Sequence, residues 1–261
     1  MKTLHDYLNS LPDSVIVLIK SYVFFIPKNK KKLHIAVNLW CDDMKSAYKL
    51  YGHISLWNTK YITNMKKLFC DQKYFSSVIS SWDVSNVIDM SYMFAGAKTF
   101  NQSLYKWNVS NVTNMEYMFF EAFKFNNSLY YWDVSSVTNM DSMFYNAESF
   151  NHAVNMWNVS KVTNMKEMFR NAESFNSYLN NWNVSRVTDM KGMFHDAKSF
   201  NKPINRWDVN SVTNMDYMFW KAVSFNQMLN SWNVSTTNMH SMFYYTRLYF
   251  NESLPKWYNK N

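Results

Sequence analysis

Trp107-Asn108-Val109-Ser110-Asn111-Val112-Thr113-Asn114-Met115-Glu116-Tyr117-Met118-Phe119 opens a 25-residue unit that continues through Ala122, Phe125, Asn126 and Leu129 to Trp132. The unit recurs. Trp57, Trp82, Trp107, Trp132, Trp157, Trp182, Trp207, Trp232 and Trp257 share one constant spacing, so it runs eight times and begins a ninth. A period of this length marks a stacked array, in which one unit cannot bury its own apolar face and neighbouring units together make the core.

Inside a unit the pattern changes character twice. Trp132, Asp133 and Val134 alternate apolar, polar, apolar, which predicts a short strand. Met140, Met143, Phe144 and Ala147 then fall at the i, i+3, i+4, i+7 spacing of a one-sided helix of about two turns. Thr138 stands where a helix N-cap would, and Thr113 with Glu116, Thr138 with Asp141 and Thr213 with Asp216 fit a capping box. The expected fold class is therefore α/β, a solenoid of about eight 25-residue strand and short-helix units, curved with its strands inside. A second aromatic column, Phe75, Phe100, Phe125, Phe150, Phe175, Phe200, Phe225 and Phe250, is followed by Asn except at Ser76. An amide recurring at a corner is expected to bond the backbone of that corner or of its copy in the next turn, a ladder and not a site.

The composite Leu-x-x-Trp-Asp/Asn-Val-Ser-x-Val-Thr-Asn-Met-x-x-Met-Phe-x-x-Ala-x-x-Phe-Asn, running over about residues 54–257, resembles the repeats of BspA-like leucine-rich-repeat surface proteins, including Listeria-type and mycoplasma-type lipoproteins. The resemblance implies a leucine-rich-repeat-like solenoid with Trp, Val, Met and Phe at Leu positions, and a role in binding macromolecules. It carries over no catalytic residues. Similar repeats occur in large DNA viruses of protists, and the abundance of Asn, Lys, Tyr, Phe and Ile fits an AT-rich coding source of that kind.

Residues 1–53 are expected to be a helical cap on an array spanning 54–261, since the first coil must have its apolar end covered. Val15, Leu18, Ile19, Tyr22 and Val23 mark one helix face. A second helix is expected over Leu33–Tyr51, with Trp40, Met44, Ala47, Tyr48 and Tyr51 on one side and Lys28, Lys30, Lys31 and Lys32 in a basic loop before it. Residues 14–26 are too short to span a bilayer, are interrupted by Lys20 and follow acidic Asp6 and Asp13, so neither a signal peptide nor a membrane span is expected. That points to an intracellular protein, in a host-cell cytoplasm if the source is viral. Leu11 to Val23 also resembles the opening of an F-box, which implies a ubiquitin-ligase adaptor as an alternative, with an exported adhesin as another. Val is missing between Ser235 and Thr237, and one extra residue between Phe243 and Phe250 restores the spacing. With no C-terminal cap legible after Trp257, an open edge and a homodimer contact are expected there.

Catalysis has no foothold in the residues. Three glycines, Gly52, Gly96 and Gly192, cannot build a phosphate-cradling loop. Cys41 and Cys70 read as free thiols, the six histidines form no metal-ligand motif, and no cofactor is implied. Net charge is +8, but the basic side chains are dispersed and not aligned, so a nucleic-acid partner is not expected. What varies is the column before each Trp together with the Asp that follows some of them. Asp83, Lys106, Tyr131, Asp133, Met156, Asn181, Arg206 and Asp208 are the candidate residues for a protein or peptide partner on the exposed strand face.

Overall fold

A computed structural model describes residues 25–234, 237–251 and 253–258. The helix face expected from Val15 to Val23 and the F-box-like opening lie outside the described residues.

The array is built from turns, which overturns the expected α/β solenoid. Among the described residues no α-helix occurs between Tyr51 and Arg247, and strand character is confined to one isolated parallel bridge per coil, from Asn64↔Asp89 through to Asn214↔Asn238. The Met and Phe positions at helical spacing are fully buried, as that spacing demands, yet their backbone is not helical. In the Trp107 coil, the N–H groups of Met118, Phe120 and Ala122 close tight turns onto Met115, Tyr117 and Phe119. Those of Met115, Tyr117, Phe119 and Glu121 donate instead to Asn139, Asp141, Met143 and Tyr145 of the next coil. A helix would spend its N–H groups beyond the first turn within its own segment and point the rest along its axis, away from a neighbouring coil.

Two backbone reversals per coil make this routing possible. From Trp57 to Trp207 the tenth and fourteenth residues after each Trp adopt left-handed φ, as at Tyr117 (55°) and Glu121 (54°), and Gly192 and Gly96 take one each of these positions; in the Trp232 coil, one residue shorter here, they are the ninth and thirteenth, Ser241 and Tyr245. A non-glycine residue costs roughly 1–2 kcal/mol there, a cost the cross-coil hydrogen bonds and the buried core offset. At Gly96 the neighbour is close: a Cβ would lie 2.6 Å from Asp71 Oδ1 and 3.3 Å from Asp71 Cα. Gly96→Ala is therefore expected to lose about 1–2 kcal/mol, read as a lower urea midpoint at unchanged slope, whereas Gly192→Ala should lose less.

Side chains continue the ladders. From Asn101 to Asn201 each Asn of the corner column accepts the backbone N–H of its copy one coil on, as in Asn126 Oδ1 from Asn151 N (3.1 Å) and Asn151 Oδ1 from Asn176 N (2.9 Å), so the expected ladder is present there; in the last coil Asn251 N donates to Arg247 O instead. The Thr positions do not cap helices. Thr138 donates its N–H and its hydroxyl to Thr113 O, and the acceptor at the turn is the following amide, Asn139 Oδ1 from Asp141 N (3.0 Å).

The core is three files of rings. Trp157, Trp182, Trp207, Trp232 and Trp257 stack at 6.3–6.4 Å, while Phe94, Phe119, Phe144, Phe169, Phe194 and Phe219 stack at 5.5–5.7 Å. The Phe100 to Phe225 file runs at 5.9–6.0 Å beside them. Every Trp from Trp82 to Trp257 donates its indole N–H to a carbonyl of the coil before, as Trp132 does to Leu104 O (3.1 Å), so the tryptophan file buries no unpaired donor. The alternation of buried Trp132, exposed Asp133 and buried Val134 holds on this turn-built backbone. The predicted curvature loses its basis, because no wall of helices stands opposite a wall of strands.

At the N-terminal end the single expected helix is two, α1 (Lys30–Asp42) and α2 (Met44–Tyr51), separated by Asp43, whose carboxylate caps α2 by accepting Ser46 N–H. The break turns Met44 and Tyr48 outward, while Leu33, Ala36, Val37, Trp40 and Ala47 are buried. Trp40 meets Trp57 edge-on at 6.0 Å and donates to Ser77 Oγ (3.0 Å), joining the helices to the first coils. Lys30, Lys31 and Lys32 belong to the first turn of α1 and not to a loop, and Lys30 Nζ donates to Asn64 Oδ1 (2.8 Å).

At the other end the extra residue is absorbed by a short helix, α3 (Arg247–Phe250), capped by Thr246. Its consequence is a substitution in the core. Leu248 is buried, with its N–H on Phe225 O, and Phe250 is turned out to 64% exposure, so Phe250 leaves the aromatic file in which sequence spacing places it. At the end where an open apolar edge is expected, Phe243 is fully buried beneath Trp257 (6.1 Å) and Tyr258 (5.0 Å), while Tyr244, Tyr245 and Phe250 are exposed.

Candidate functional site

Two surfaces carry side chains that differ from coil to coil. The first is the corner around the Trp file. Asp83, Lys106, Tyr131, Asp133, Met156, Asn181, Arg206 and Asp208 are all exposed, but they sit on a tight turn and not on a strand, since Trp107 N bonds Leu104 O and Trp132 N bonds Leu129 O across it. The three aspartates have local duties. Asp83 Oδ1 accepts from Ser85 N (3.0 Å) and Ser85 Oγ (2.6 Å), Asp133 Oδ1 from Ser135 N (3.0 Å), and Asp208 Oδ1 from Asn210 N (3.2 Å) and Nδ2 (2.7 Å). The bonds to Ser135 hold the Asp133 carboxyl below the usual range. Asn108, Asn158 and Asn183 make the same turn where other coils carry Asp, so the acid or amide at this position serves the backbone. Tyr131 at 81% and Met156 at 63% exposure, in consecutive coils, remain free for an outside contact.

The second surface lies on the turn-built wall and was not singled out by sequence reasoning. Its columns are the tenth residue after Trp (Tyr92, Tyr117, Ser142, Glu167, Gly192, Tyr217) and the thirteenth (Phe120, Tyr145, Arg170, His195, Trp220). Over much of its length the side chains close on one another. Tyr92 and Tyr117 stack at 4.7 Å, Phe120 and Tyr145 at 4.8 Å, and the Arg170 guanidinium lies 5.3 Å from the Tyr145 ring centre. At Gly192 the column has no side chain. There a pocket of about 360 Å³ opens, lined by Glu167, Arg170, Lys191, Gly192, His195, Tyr217 and Trp220. Arg170 Nη1 pairs with Glu167 Oε1 at 2.7 Å, and the His195 ring meets Trp220 at 4.5 Å.

Two polar atoms of this lining have no hydrogen-bond partner, Arg170 Nε and His195 Nδ1, and both are buried. His195 is only 9% exposed; burial, reinforced by the Arg170 and Lys221 charges, pushes its pKa down to about 4, so the imidazole is neutral at physiological pH. Buried polar groups are paired in the great majority of cases, and those left over call for an explanation. The signal was present in the sequence as one glycine interrupting a column that elsewhere carries large or polar residues.

A family model described as "Mycoplasma protein of unknown function, DUF285" matches residues 41–157 and 139–257. The chain belongs to this family. The match supports the mycoplasma and BspA-like repeat assignment, and the two DUF285 segments meet within the Trp132 coil, midway along the ring files. No curated protein and no solved structure matches the chain. Among the described residues of this DUF285 protein, no group of three or more His, Cys, Asp or Glu side chains is placed to hold a metal, and no helix is long and apolar enough to cross a membrane.

Proposed function

We propose that the protein is a non-enzymatic scaffold that holds a protein or peptide partner on the corner columns beside the Trp file. The observation that carries this reading is the pairing of a regularly repeating, buried interior with a line of exposed, non-repeating side chains in which Tyr131 and Met156 stand open beside charged neighbours. Large aromatic and thioether side chains with Arg are the types enriched at interface centres, and the coil-to-coil ladders hold them without further ordering cost. The unpaired thiols Cys41 and Cys70 agree with an intracellular setting, and the Asn-, Lys- and Tyr-rich composition agrees with a large DNA virus as source.

The test is proximity labelling with the full chain against a Tyr131→Ala, Arg206→Glu double variant. Both sites are exposed, so the melting temperature should not move by more than a degree or two. The partner recovered with the parent chain is expected to fall at least tenfold with the variant. Equal recovery from both chains would remove this surface from consideration.

A further inference from the structure

We propose that the hollow at Gly192 is a binding site for a single aromatic ring carrying a carboxylate. Three observations converge on that chemistry, and none depends on the partner surface beside the Trp file.

The first is shape. Gly192 occupies the column that holds Tyr92, Tyr117 and Tyr217, and where two tyrosines are neighbours in it their rings stack nearly parallel at 4.7 Å. The space left at Gly192, between Glu167 of one coil and Tyr217 of the next, is therefore the space an aromatic side chain fills elsewhere in the same wall. An incoming ring finds the Tyr217 face and the Trp220 indole already positioned.

The second is charge. Lys191 and Arg170 bring two positive charges to the lining and Glu167 one negative charge, which leaves a net charge of +1 with His195 neutral. A monoanion balances it. The third is unmet hydrogen bonding. Arg170 Nε carries a donor that the Glu167 pairing does not use, and neutral His195 can place its proton on Nδ1, so two buried donors among the lining residues lack an acceptor. The Arg170 side chain is 30% exposed and anchored to Glu167 through Nη1, so its guanidinium can pivot about that contact to present Nε to a carboxylate.

The same chemistry is offered by a free aromatic acid and by a peptide ending in an aromatic residue. Three probes separate them: 3-phenylpropanoate, Gly-Gly-Phe with a free carboxylate, and Gly-Gly-Phe amide. Each is followed by saturation-transfer NMR and calorimetric titration against the full chain. Two substitutions test the site, and each has a precedent in its own column. Gly192→Tyr installs the ring that Tyr92, Tyr117 and Tyr217 carry at the same left-handed φ. Lys191→Glu installs an acid where other coils have Glu116, Asp141 and Asp216. Lys191→Glu should fold with an unchanged melting temperature; Gly192→Tyr, a non-glycine residue at a left-handed φ, should melt lower yet remain fully folded at the temperature of the titration, as an unchanged circular-dichroism spectrum would show.

Binding of at least one carboxylate probe, weakened tenfold or more by either substitution, is the expected result. Phenylpropanoate binding alone marks a free acid as the ligand; tighter binding of the free peptide marks a chain terminus. Failure of both carboxylates to bind, equal binding of the amide, or undiminished binding to the Gly192→Tyr protein would overturn the proposal. The Tyr131→Ala, Arg206→Glu chain should bind these probes like the parent, so loss of one surface is distinguishable from loss of the other.

Discussion

Phe144→Ala is expected to destabilise the protein by about 3–5 kcal/mol, the range for truncating a fully buried aromatic side chain. The Phe144 ring contacts Phe119 and Phe169 along its own file at 5.5 and 5.6 Å, Phe150 within its coil at 4.1 Å, and Trp157 at 6.4 Å. Removing it opens a cavity that four neighbours border and that the rigid turns on either side cannot close. The position matters as much as the size. In a stack where each coil touches only the coils before and after it, a weakened interface in the middle divides the array into two shorter ones. Urea unfolding is expected to lose its single sharp transition, and amide exchange should accelerate first around residues 138–170 and not at the ends. Phe250→Ala is the matched control. That ring is mostly exposed and should cost no more than about 0.5 kcal/mol. Equal losses from the two substitutions would mean that the ring file is not what holds the coils together.

The second large effect is one of pH. The unfolded chain takes up a proton at His195 near its ordinary value of 6.5, whereas the folded protein refuses it until about pH 4. Between those values the unfolded state binds more protons, so stability falls as pH is lowered through the window and levels off below it. At 1.36 kcal/mol per unit the loss amounts to at most roughly 3 kcal/mol, less to the extent that water reaches the ring. Asp141 acts in the opposite sense. Burial raises its pKa, so its protonation at the acid end of the window favours the folded state and shallows the curve. His195→Phe places in the thirteenth position the residue that Phe120 already carries there. It should leave stability at pH 7 within about 1 kcal/mol while flattening the decline between pH 6.5 and 4. A decline of unchanged steepness in that variant would assign the acid sensitivity to other groups.

The two surfaces were legible to different degrees. The corner residues from Asp83 to Asp208 were visible because they vary beside a constant Trp, and their exposure follows from that placement. Their turn geometry was not visible. Asp133 and Asn183 look interchangeable with strand residues until Ser135 N and Ser185 N are seen donating to them. The hollow at Gly192 escaped notice for a different reason. Its walls come from three coils, and only the stacking order brings Glu167 and Trp220 to the two sides of one missing side chain. Phe250 shows the limit of counting. An extra residue shifted the chain within α3, and Leu248 took the buried position that spacing had given to the phenylalanine.

What the residues determined unaided is the period, the Trp column and, as far as Phe225, the second aromatic column, the burial of Met, Val and Ala beside them, and the asparagine ladder. These follow from transfer free energy and side-chain length, which depend little on how the backbone joins one apolar position to the next. What only the tertiary structure decided is the backbone itself. Met115, Met118, Phe119 and Ala122 satisfy a helix and a ribbon of turns equally well, because both bring the four side chains to one side. The choice rests on where the N–H groups go. With left-handed residues at Tyr117 and Glu121, alternate donors reach the following coil and bind it, and a hydrogen bond to a chain segment 24 residues away has no signature in local spacing.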